Sequence, residues 1–214
     1  NPTGCVYSET ELRGLAEICV KKKVFIISDE IYEKLIYDGL KHFSIASLNK
    51  DIYDLTVTIN GFSKSYSMTG WRIGYLGAPP DIAEAVSRLQ DHSTSNPNSI
   101  AQKAAVEALT TQGGFIQKIS AEFARRRDFC LQRLSRMKKI SFYKPQGAFY
   151  IFCDISKTGL SSSVFSERLL EEKYVSVIPG EGFGRDDYVR ISFATGIEQL
   201  QKGMDRIEEW LEKQ

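Results

Sequence analysis

The chain has 214 residues, of which 28 are Lys or Arg, 27 are Asp or Glu and 2 are His, so its formal net charge is +1. Hydrophobic residues make up 42% and charged residues 26%, which excludes disordered, collagen-like and coiled-coil chains. The balanced charge argues against a dedicated nucleic-acid or membrane-surface binder, because both need a concentrated basic face. The length allows one large domain or two small ones. A first residue Asn1 instead of Met predicts a processed chain or part of a longer one.

The cysteines and the hydropathy pattern predict a cytoplasmic protein. No C-x-x-C spacing occurs, so we expect free thiols in a reduced compartment instead of a disulfide framework or a zinc site. The N-terminus does not resemble a signal peptide, and no apolar run approaches the ~20 residues that span a bilayer. The four scattered cysteines are Cys5, Cys19, Cys130 and Cys153.

The first half of the chain alternates helical and strand patterns. Ser8 and Glu11 have the spacing of a capping box and predict a helix start. Three apolar runs then predict strands, the first two as buried parallel strands. These runs are Val24–Ile27, Leu55–Ile59 and Trp71–Leu76. Asp81 and Glu84 predict the cap of a further helix.

The second half mixes strands and helices. Gly113-Gly114 is the best candidate for a domain boundary, which divides the chain into residues 1–112 and 113–214. A long helical pattern follows, and Thr195 with Glu198 predicts the cap of the last helix. The strands predicted here are Phe149–Cys153, Val175–Ile178 and Tyr188–Phe193. We therefore predict an α/β fold with a mostly parallel sheet, followed by a smaller α+β domain.

Polar residues follow the predicted strands at the ends where open α/β sheets bind ligands. Asp29 follows the first strand, Lys64 follows the second, and Arg72 comes eight residues later. Asp29 alone is equally compatible with a helix cap. Together, a carboxylate, a buried lysine and an arginine predict an anionic cofactor with a basic nitrogen. A desolvated lysine could form a Schiff base there.

At this point the chain resembles a known family. The run Ser63-Lys64-Ser65-Tyr66-Ser67-Met68-Thr69-Gly70-Trp71-Arg72-Ile73-Gly74-Tyr75 is similar to the lysine signature of class I/II pyridoxal-phosphate-dependent aminotransferases, in particular the aspartate aminotransferase branch. Further similarities follow the family's order over nearly all 214 residues. They lie in Asn1–Gly4, Ser28–Tyr32, Ser93–Asn96, Pro145–Tyr150 and Tyr188–Ala194. The resemblance implies part of the mostly parallel sheet of the large domain plus the small C-terminal domain.

The resemblance also implies site residues for pyridoxal 5'-phosphate. Lys64 would bind the cofactor as a Schiff base and then move the proton at the substrate Cα. Asp29 would pair with the pyridine nitrogen, which makes the ring an electron sink. Tyr32 would bind the ring 3-oxygen. Arg72 would bind the phosphate, since its fork matches phosphate oxygens. Ser63 would add a phosphate donor.

The substrate side of the implied site consists of Asn1 and Arg190. Asn1 would bind the ring 3-oxygen and also contact the substrate, and Arg190 would bind the substrate α-carboxylate through a bidentate pair. A surface arginine on a strand remains the alternative for Arg190. The loop Pro179–Gly184 either lines the substrate entrance or only turns between strands. We expect no metal site, and we interpret His42 and His92 as structural or surface residues.

Three functions remain open from the sequence. The leading one is an aminotransferase moving the amino group of aspartate or a related or aromatic amino acid to a 2-oxo acid such as 2-oxoglutarate, in amino-acid metabolism and biosynthesis. The others are a pyridoxal-phosphate-dependent C–S β-lyase and a non-enzymatic sensing domain of a transcription regulator. An N-terminal half typical of the family is missing, so we expect a C-terminal fragment that is inactive alone and belongs to a homodimer.

Overall fold

The computed structural model describes residues 1–111 and 113–214. They form two compact units, each treated separately below. The N-terminal unit is Val6–Ile119, and the C-terminal unit joins Asn1–Cys5 to Ser120–Gln214. Both contain helices and strands, as the α/β prediction requires. Residue 112, the last of the first predicted domain, lies outside the described residues, and the division at 112/113 stays a prediction.

The N-terminal unit contains a three-stranded sheet in the order β1-β2-β3. β1 runs parallel to β2, with Asp29 opposite Ile59. β3 runs antiparallel to β2, with Gly74 opposite Gly61. The elements are α1 (Glu9–Lys22), β1 (Ile26–Asp29), α2 (Lys50–Tyr53), β2 (Thr56–Gly61), β3 (Gly74–Gly77), α3 (Pro80–Ser93), α4 (Ser99–Thr110) and the first residues of α5 (Phe115–Leu134).

The start of α1 confirms the predicted capping box. The Ser8 hydroxyl accepts from the Glu11 amide, and the Glu11 carboxylate accepts from the Ser8 amide at 2.8 Å. These bonds satisfy two helix donors that would otherwise have no partner. Downstream, Leu12 and Ala16 pack with Ile45 and Ile52 in a buried apolar cluster. This cluster holds α1 against the segment that leads into β2.

Three local predictions in this unit are wrong. The run Val24–Ile27 is not buried, since the Ile27 side chain is 73% exposed and the strand begins only at Ile26. Among the described residues no layer covers the face of the sheet that carries the Ile27 side chain. The third strand begins at Gly74, because Thr69–Trp71 forms a 3₁₀ turn. α3 begins after Pro79 without a side-chain cap; proline at the first helical position, which needs no amide donor, replaces the predicted cap.

The C-terminal unit contains an antiparallel sheet in the order β4-β5-β7-β6. Its elements are β4 (Ser141–Phe142), β5 (Tyr150–Asp154), α6 (Ser162–Lys173), β6 (Ile178–Pro179), β7 (Tyr188–Ser192), α7 (Ile197–Glu212) and the rest of α5. The strand predicted at Val175–Ile178 overlaps β6 only at Ile178. The predicted cap of the last helix is wrong, because Gly196 occupies the cap position without a side-chain bond.

Helices α6 and α7 pack through Trp210, which is only 1% exposed. Its ring meets Phe165 edge-on at 5.0 Å between centroids, and its indole Nε1 donates to Glu172 Oε2 at 2.7 Å. Burial of a large ring with its polar atom satisfied is strongly stabilising. These contacts join α7 to α6.

Among the described residues, no helix combines the length and the apolar character needed to cross a bilayer.

Candidate active site

Three predicted site residues flank one edge of the sheet in the N-terminal unit. Because β1 and β2 are parallel, Asp29 and the segment after Gly61 leave the sheet at the same edge. β3 is antiparallel and starts opposite Gly61, so the residues before Gly74 reach that edge as well. Asp29, Lys64 and Arg72 therefore come from three chain segments that meet at one edge. The sequence predicted that these residues converge at strand ends, but it did not predict the antiparallel direction of β3, which brings Arg72 to this edge.

Asp29 terminates β1 and organises the turn that follows. Its Oδ1 accepts a hydrogen bond from the Ile31 amide at 3.1 Å. The turn thereby takes the place of the helix that the alternative interpretation expected after Asp29. Tyr32 lies in this turn and is half-buried. The local geometry fixes the backbone that carries both predicted ring contacts.

Lys64 lies in a tight turn directly after β2. The Tyr66 amide donates to the Phe62 carbonyl at 3.2 Å, and the Ser67 amide donates to the Lys64 carbonyl at 3.3 Å. Lys64 and Ser63 are both half-buried. The next residue, Ser65, is 2% exposed, and its hydroxyl has no hydrogen-bond partner among the described residues. The amine is thus carried by an ordered backbone instead of a mobile surface loop.

Gly61 permits the close approach of β2 to the start of β3. A Cβ atom at Gly61 would lie 3.1 Å from the Gly74 Cα, 3.2 Å from the Ile73 carbonyl oxygen and 3.3 Å from the Ile31 Cδ1. Such distances require the neighbours to move. The absence of a side chain at Gly61 therefore keeps the three segments of the edge together.

Arg72 follows the 3₁₀ turn with a left-handed backbone, φ 52°. Its Nη1 donates to the Thr69 carbonyl at 2.9 Å, which ties the guanidinium to its own turn. Arg72 also lines an open cavity of about 590 Å³ with Ser67 and Asn98. A larger cavity of about 870 Å³, lined mainly by apolar side chains, contains none of the predicted cofactor residues.

The donor set at this edge fits pyridoxal phosphate. An arginine fork beside serine hydroxyls suits a phosphate. A carboxylate suits a protonated ring nitrogen, and a half-buried amine suits a carbonyl carbon. All of these side chains belong to the N-terminal unit, whereas Asn1, the remaining predicted cofactor contact, belongs to the C-terminal unit.

In the C-terminal unit the structure joins the two predicted substrate residues. Nη1 of Arg190 donates to Oδ1 of Asn1 at 2.7 Å. The Arg190 Cζ lies 5.0 Å from the ring centroid of Tyr150 and 5.0 Å from that of Phe183. The sequence assigned neither ring to the site, although Tyr150 lies in the family-like segment Pro145–Tyr150 and Phe183 in the loop Pro179–Gly184, whose role the sequence left open.

Sequence reasoning also missed a buried network around Glu30. Glu30 is buried, with an exposed fraction of 7%. Its carboxylate accepts hydrogen bonds from the Ser28 hydroxyl at 3.0 Å and from the Ser44 hydroxyl at 2.8 Å. Nε2 of His42 lies 2.7 Å from Glu30 Oε2. Burial alone would raise the pKa of Glu30, but hydrogen bonds from His42 and Ser44 outweigh the effect of burial and hold the pKa below its ordinary 4.5. The network anchors the residue next to Asp29.

His42 therefore makes a structural contact, which is one of the two roles, structural or surface, expected from the sequence. The side-chain atoms of Glu30, Glu33 and His42 that could coordinate a metal ion lie within 4.8 Å of one another. Twelve positions separate Glu30 from His42, so no local spacing could have revealed this group. Because the Glu30 carboxylate already accepts three hydrogen bonds, we assign it no metal.

Comparison with known families decides the classification. A family described as "Aminotransferase class I and II" matches residues 1–207. The chain belongs to this family. The resemblance inferred from the lysine segment is thereby confirmed.

Individual aminotransferases match almost the whole chain. It is 44% identical over 217 residues to an aspartate aminotransferase of Geobacillus stearothermophilus, covering 99% of this chain and 55% of that protein. It is 43% identical to aromatic-amino-acid aminotransferase 2 of Thermococcus litoralis, covering 100% of this chain and 55% of that one. The chain thus spans about half the length of the curated relatives it matches.

Solved aminotransferase structures show the same fold. An aromatic aminotransferase from Pyrococcus horikoshii superimposes with a TM-score of 0.94 at 42% identity, covering 100% of this chain and 58% of that one. An aspartate aminotransferase from Rhizobium meliloti gives a TM-score of 0.94 at 35% identity, covering 99% and 56%. The predicted α/β class, as part of a larger aminotransferase fold, is confirmed.

Proposed function

We propose that this chain is the C-terminal part of a pyridoxal-phosphate-dependent aminotransferase. The reaction moves the amino group of aspartate, or of a related or aromatic amino acid, to a 2-oxo acid such as 2-oxoglutarate. The observation that carries the proposal is the convergence of Asp29, Lys64 and Arg72 at one sheet edge. The names of the relatives, which include aspartate and aromatic aminotransferases, support the substrate class.

Pyridoxal phosphate, when bound, supplies an electron sink that stabilises negative charge at the substrate Cα. The side chains of the sheet edge hold it and move protons. Arg72 and Ser63 bind the phosphate oxygens, and Asp29 keeps a proton on the ring nitrogen. Tyr32 donates a hydrogen bond to the ring 3-oxygen. The Lys64 amine would hold the cofactor at its carbonyl carbon with loss of water and, once displaced by the substrate amine, would carry the proton to and from the substrate Cα.

Arg190 binds the substrate carboxylate in this proposal. A guanidinium fork makes two parallel hydrogen bonds to a carboxylate, which fixes the direction of the Cα substituents. Asn1 accepts from the same guanidinium at 2.7 Å. We also propose that Asn1 contacts the ring 3-oxygen, a role taken from the family resemblance.

The organisation of the whole protein is part of the proposal. Residues 1–112 would belong to the large cofactor-binding domain and residues 113–214 to the small domain. The longer protein would be a cytoplasmic homodimer. Because the chain spans about 55% of its relatives, we expect the isolated 214-residue chain to show no efficient transamination with aspartate and 2-oxoglutarate. Ordinary steady-state turnover by this chain would contradict that part.

A substrate screen of the longer protein tests the function. We would add single amino acids, including aspartate, phenylalanine and cystathionine, and follow the absorbance change from the lysine-bound cofactor to its pyridoxamine form. Conversion by aspartate or an aromatic amino acid, reversed by a 2-oxo acid, is expected. Release of pyruvate and ammonia from cystathionine without amino transfer would identify a lyase instead.

A further inference from the structure

We propose that Phe183 is a positioning residue for Arg190, and that the Pro179–Gly184 loop is thereby part of the carboxylate site. The inference rests on the proposed function, since it assigns Arg190 a substrate carboxylate. The Phe183 ring, together with the Tyr150 ring, holds the guanidinium in one orientation before a ligand arrives.

The first argument is the environment of the guanidinium. Its Cζ lies 5.0 Å from the centroid of each ring, within the range of cation–π attraction. Asn1 accepts from Nη1 at 2.7 Å. Two rings and one amide oxygen therefore restrict a long side chain that would otherwise lose considerable rotamer entropy on binding a ligand. Their combined effect is to orient the donor edge of the fork in advance.

The second argument is the origin of the two rings. Tyr150 lies on β5, which neighbours β7, and it is 2% exposed. Phe183 instead comes from the 3₁₀ turn Glu181–Phe183, beyond β6 on the other side of β7. The Tyr150 ring is thus part of the sheet's own packing, whereas the Phe183 ring reaches Arg190 only because of the turn.

The third argument is that close backbone packing and hydrogen bonds hold the turn in one conformation. A Cβ atom at Gly180 would lie 2.2 Å from the Arg185 carbonyl oxygen, so the chain folds back there in contact with itself. The Glu181 amide donates to the Ser162 Oγ at 3.1 Å, and this buried hydroxyl donates to Asp186 Oδ1 at 2.8 Å. The Glu181 carboxylate accepts from Ser163 at 3.0 Å. A turn anchored at both ends carries its ring in a defined place.

The Phe183 ring also packs against aromatic side chains of the sheet. It meets Phe152 edge-on at 6.0 Å, and Phe152 stacks on Tyr188 at 4.7 Å. Phe152 is the partner of Arg190 in the β5–β7 register. Side chains opposite each other in a sheet share a face. Phe152 and Arg190 therefore lie on the same face of the sheet, and the Phe183 ring packs against Phe152 there. Phe183 thus links the anchored turn to the arginine.

The test compares Phe183→Leu with Phe183→Tyr in the longer protein. Leucine removes the ring with little loss of volume, and tyrosine keeps it. The probe is α-methyl-L-aspartate, which lacks the Cα–H bond and so reports binding alone through the cofactor absorbance. We expect its Kd to rise about threefold to thirtyfold in Phe183→Leu, the range of one cation–π contact, and to stay near the wild-type value in Phe183→Tyr.

Two comparisons separate positioning from general packing. The affinity for 3-aminobutanoate, which lacks the carboxylate assigned to Arg190, should change little in Phe183→Leu. Phe142→Leu in β4 is the matched control and should leave both affinities unchanged, with thermal unfolding recorded for every variant. Equal weakening of both ligands, equal effects of the leucine and tyrosine variants, or no effect of Phe183→Leu would overturn the inference.

The outcome also separates this inference from the proposed function. If the protein transaminates no amino acid but its carboxylate binding still falls in Phe183→Leu, the positioning role stands and the proposed reaction fails. If transamination proceeds and Phe183→Leu matches wild type in Kd and KM, the reaction stands and the positioning role fails.

Discussion

The Arg190 guanidinium donates to the Asn1 side-chain oxygen at 2.7 Å, although 189 positions separate the two residues. The contact arises because the first five residues belong to the C-terminal unit. Gly4 shows how closely they join it. A Cβ at Gly4 would lie 2.6 Å from the Pro145 Cβ. The Gly4 carbonyl accepts hydrogen bonds from the Gln146 and Gly147 amides, both at 2.9 Å.

Arg190→Lys should weaken carboxylate binding in the longer protein. Lysine keeps the charge but offers a point donor in place of the bidentate fork. We expect Kd for α-methyl-L-aspartate to rise about 10-fold to 100-fold, as for loss of one charge-assisted hydrogen bond. Arg185→Lys is the matched control, because Arg185 is exposed and pairs with Asp187. Equal affinities for wild type and Arg190→Lys would remove Arg190 from the substrate site.

Lys64→Ala should abolish covalent retention of pyridoxal phosphate in the longer protein. The side-chain amine in the turn after β2 is the group proposed to bond to the cofactor. Borohydride reduction followed by peptide mapping should label Lys64 in wild type and no lysine in the variant. Lys41→Ala, which changes an exposed lysine of the same unit, should retain the label. Labelling of a different lysine in wild type would refute the assignment.

Glu30→Gln should destabilise the 214-residue chain by about 1–3 kcal/mol at neutral pH, because a buried charged acceptor of three hydrogen bonds is lost. The folded-state pKa of Glu30 is lowered, so its stabilisation is complete above the unfolded value near 4.5 and disappears as pH falls through the folded pKa. Urea unfolding of both proteins across pH should show the difference shrinking in acid.

Glu33→Gln provides the comparison for Glu30. Glu33 is half-buried, and its carboxylate lies 3.6 Å from the Lys34 amine, so we expect a change below about 1 kcal/mol, as is typical of partly exposed pairs. A Glu30→Gln penalty that persisted unchanged in acid would show that shape, and not charge, is responsible.

Gly180→Ala should destabilise the chain by about 1–3 kcal/mol through overpacking. The added Cβ would meet the Arg185 carbonyl oxygen at 2.2 Å and that of Tyr188 at 2.3 Å, both on the backbone. Gly182 lies in the same turn, and nothing lies within 4 Å of its Cβ position. Gly182→Ala should therefore unfold at the wild-type urea midpoint, and equal losses in both variants would contradict the steric explanation.

The exposed and the buried thiols should react at different rates. Burial raises the pKa of the Cys130 thiol to about 12 and raises that of Cys153 as well, and both side chains are fully buried. Cys5 is exposed. At pH 8 an aromatic disulfide reagent should modify Cys5 quickly and Cys130 and Cys153 only on unfolding. Cys5→Ser should remove the fast phase; fast reaction of a buried thiol would indicate local opening.

The sequence by itself determined the elements that depend on local signals. The Ser8–Glu11 capping box works through backbone donors three residues away, so its spacing was sufficient to predict it. The alternation of strand and helix patterns placed Asp29 and Lys64 after successive strands, and the parallel pairing of β1 and β2 follows from that order. The family, too, was accessible, because the lysine segment is a contiguous stretch of residues.

Only the tertiary structure decided the contacts between distant segments. Apolar character predicted burial for Ile27, but exposure depends on which layer covers the strand, and no local pattern contains that information. Glu30 meets His42 across twelve positions, and Arg190 meets Phe183 through a folded turn. Side-chain geometry at a site is set by chain segments brought together on folding, so the sequence could name Arg190 but not the rings that hold it.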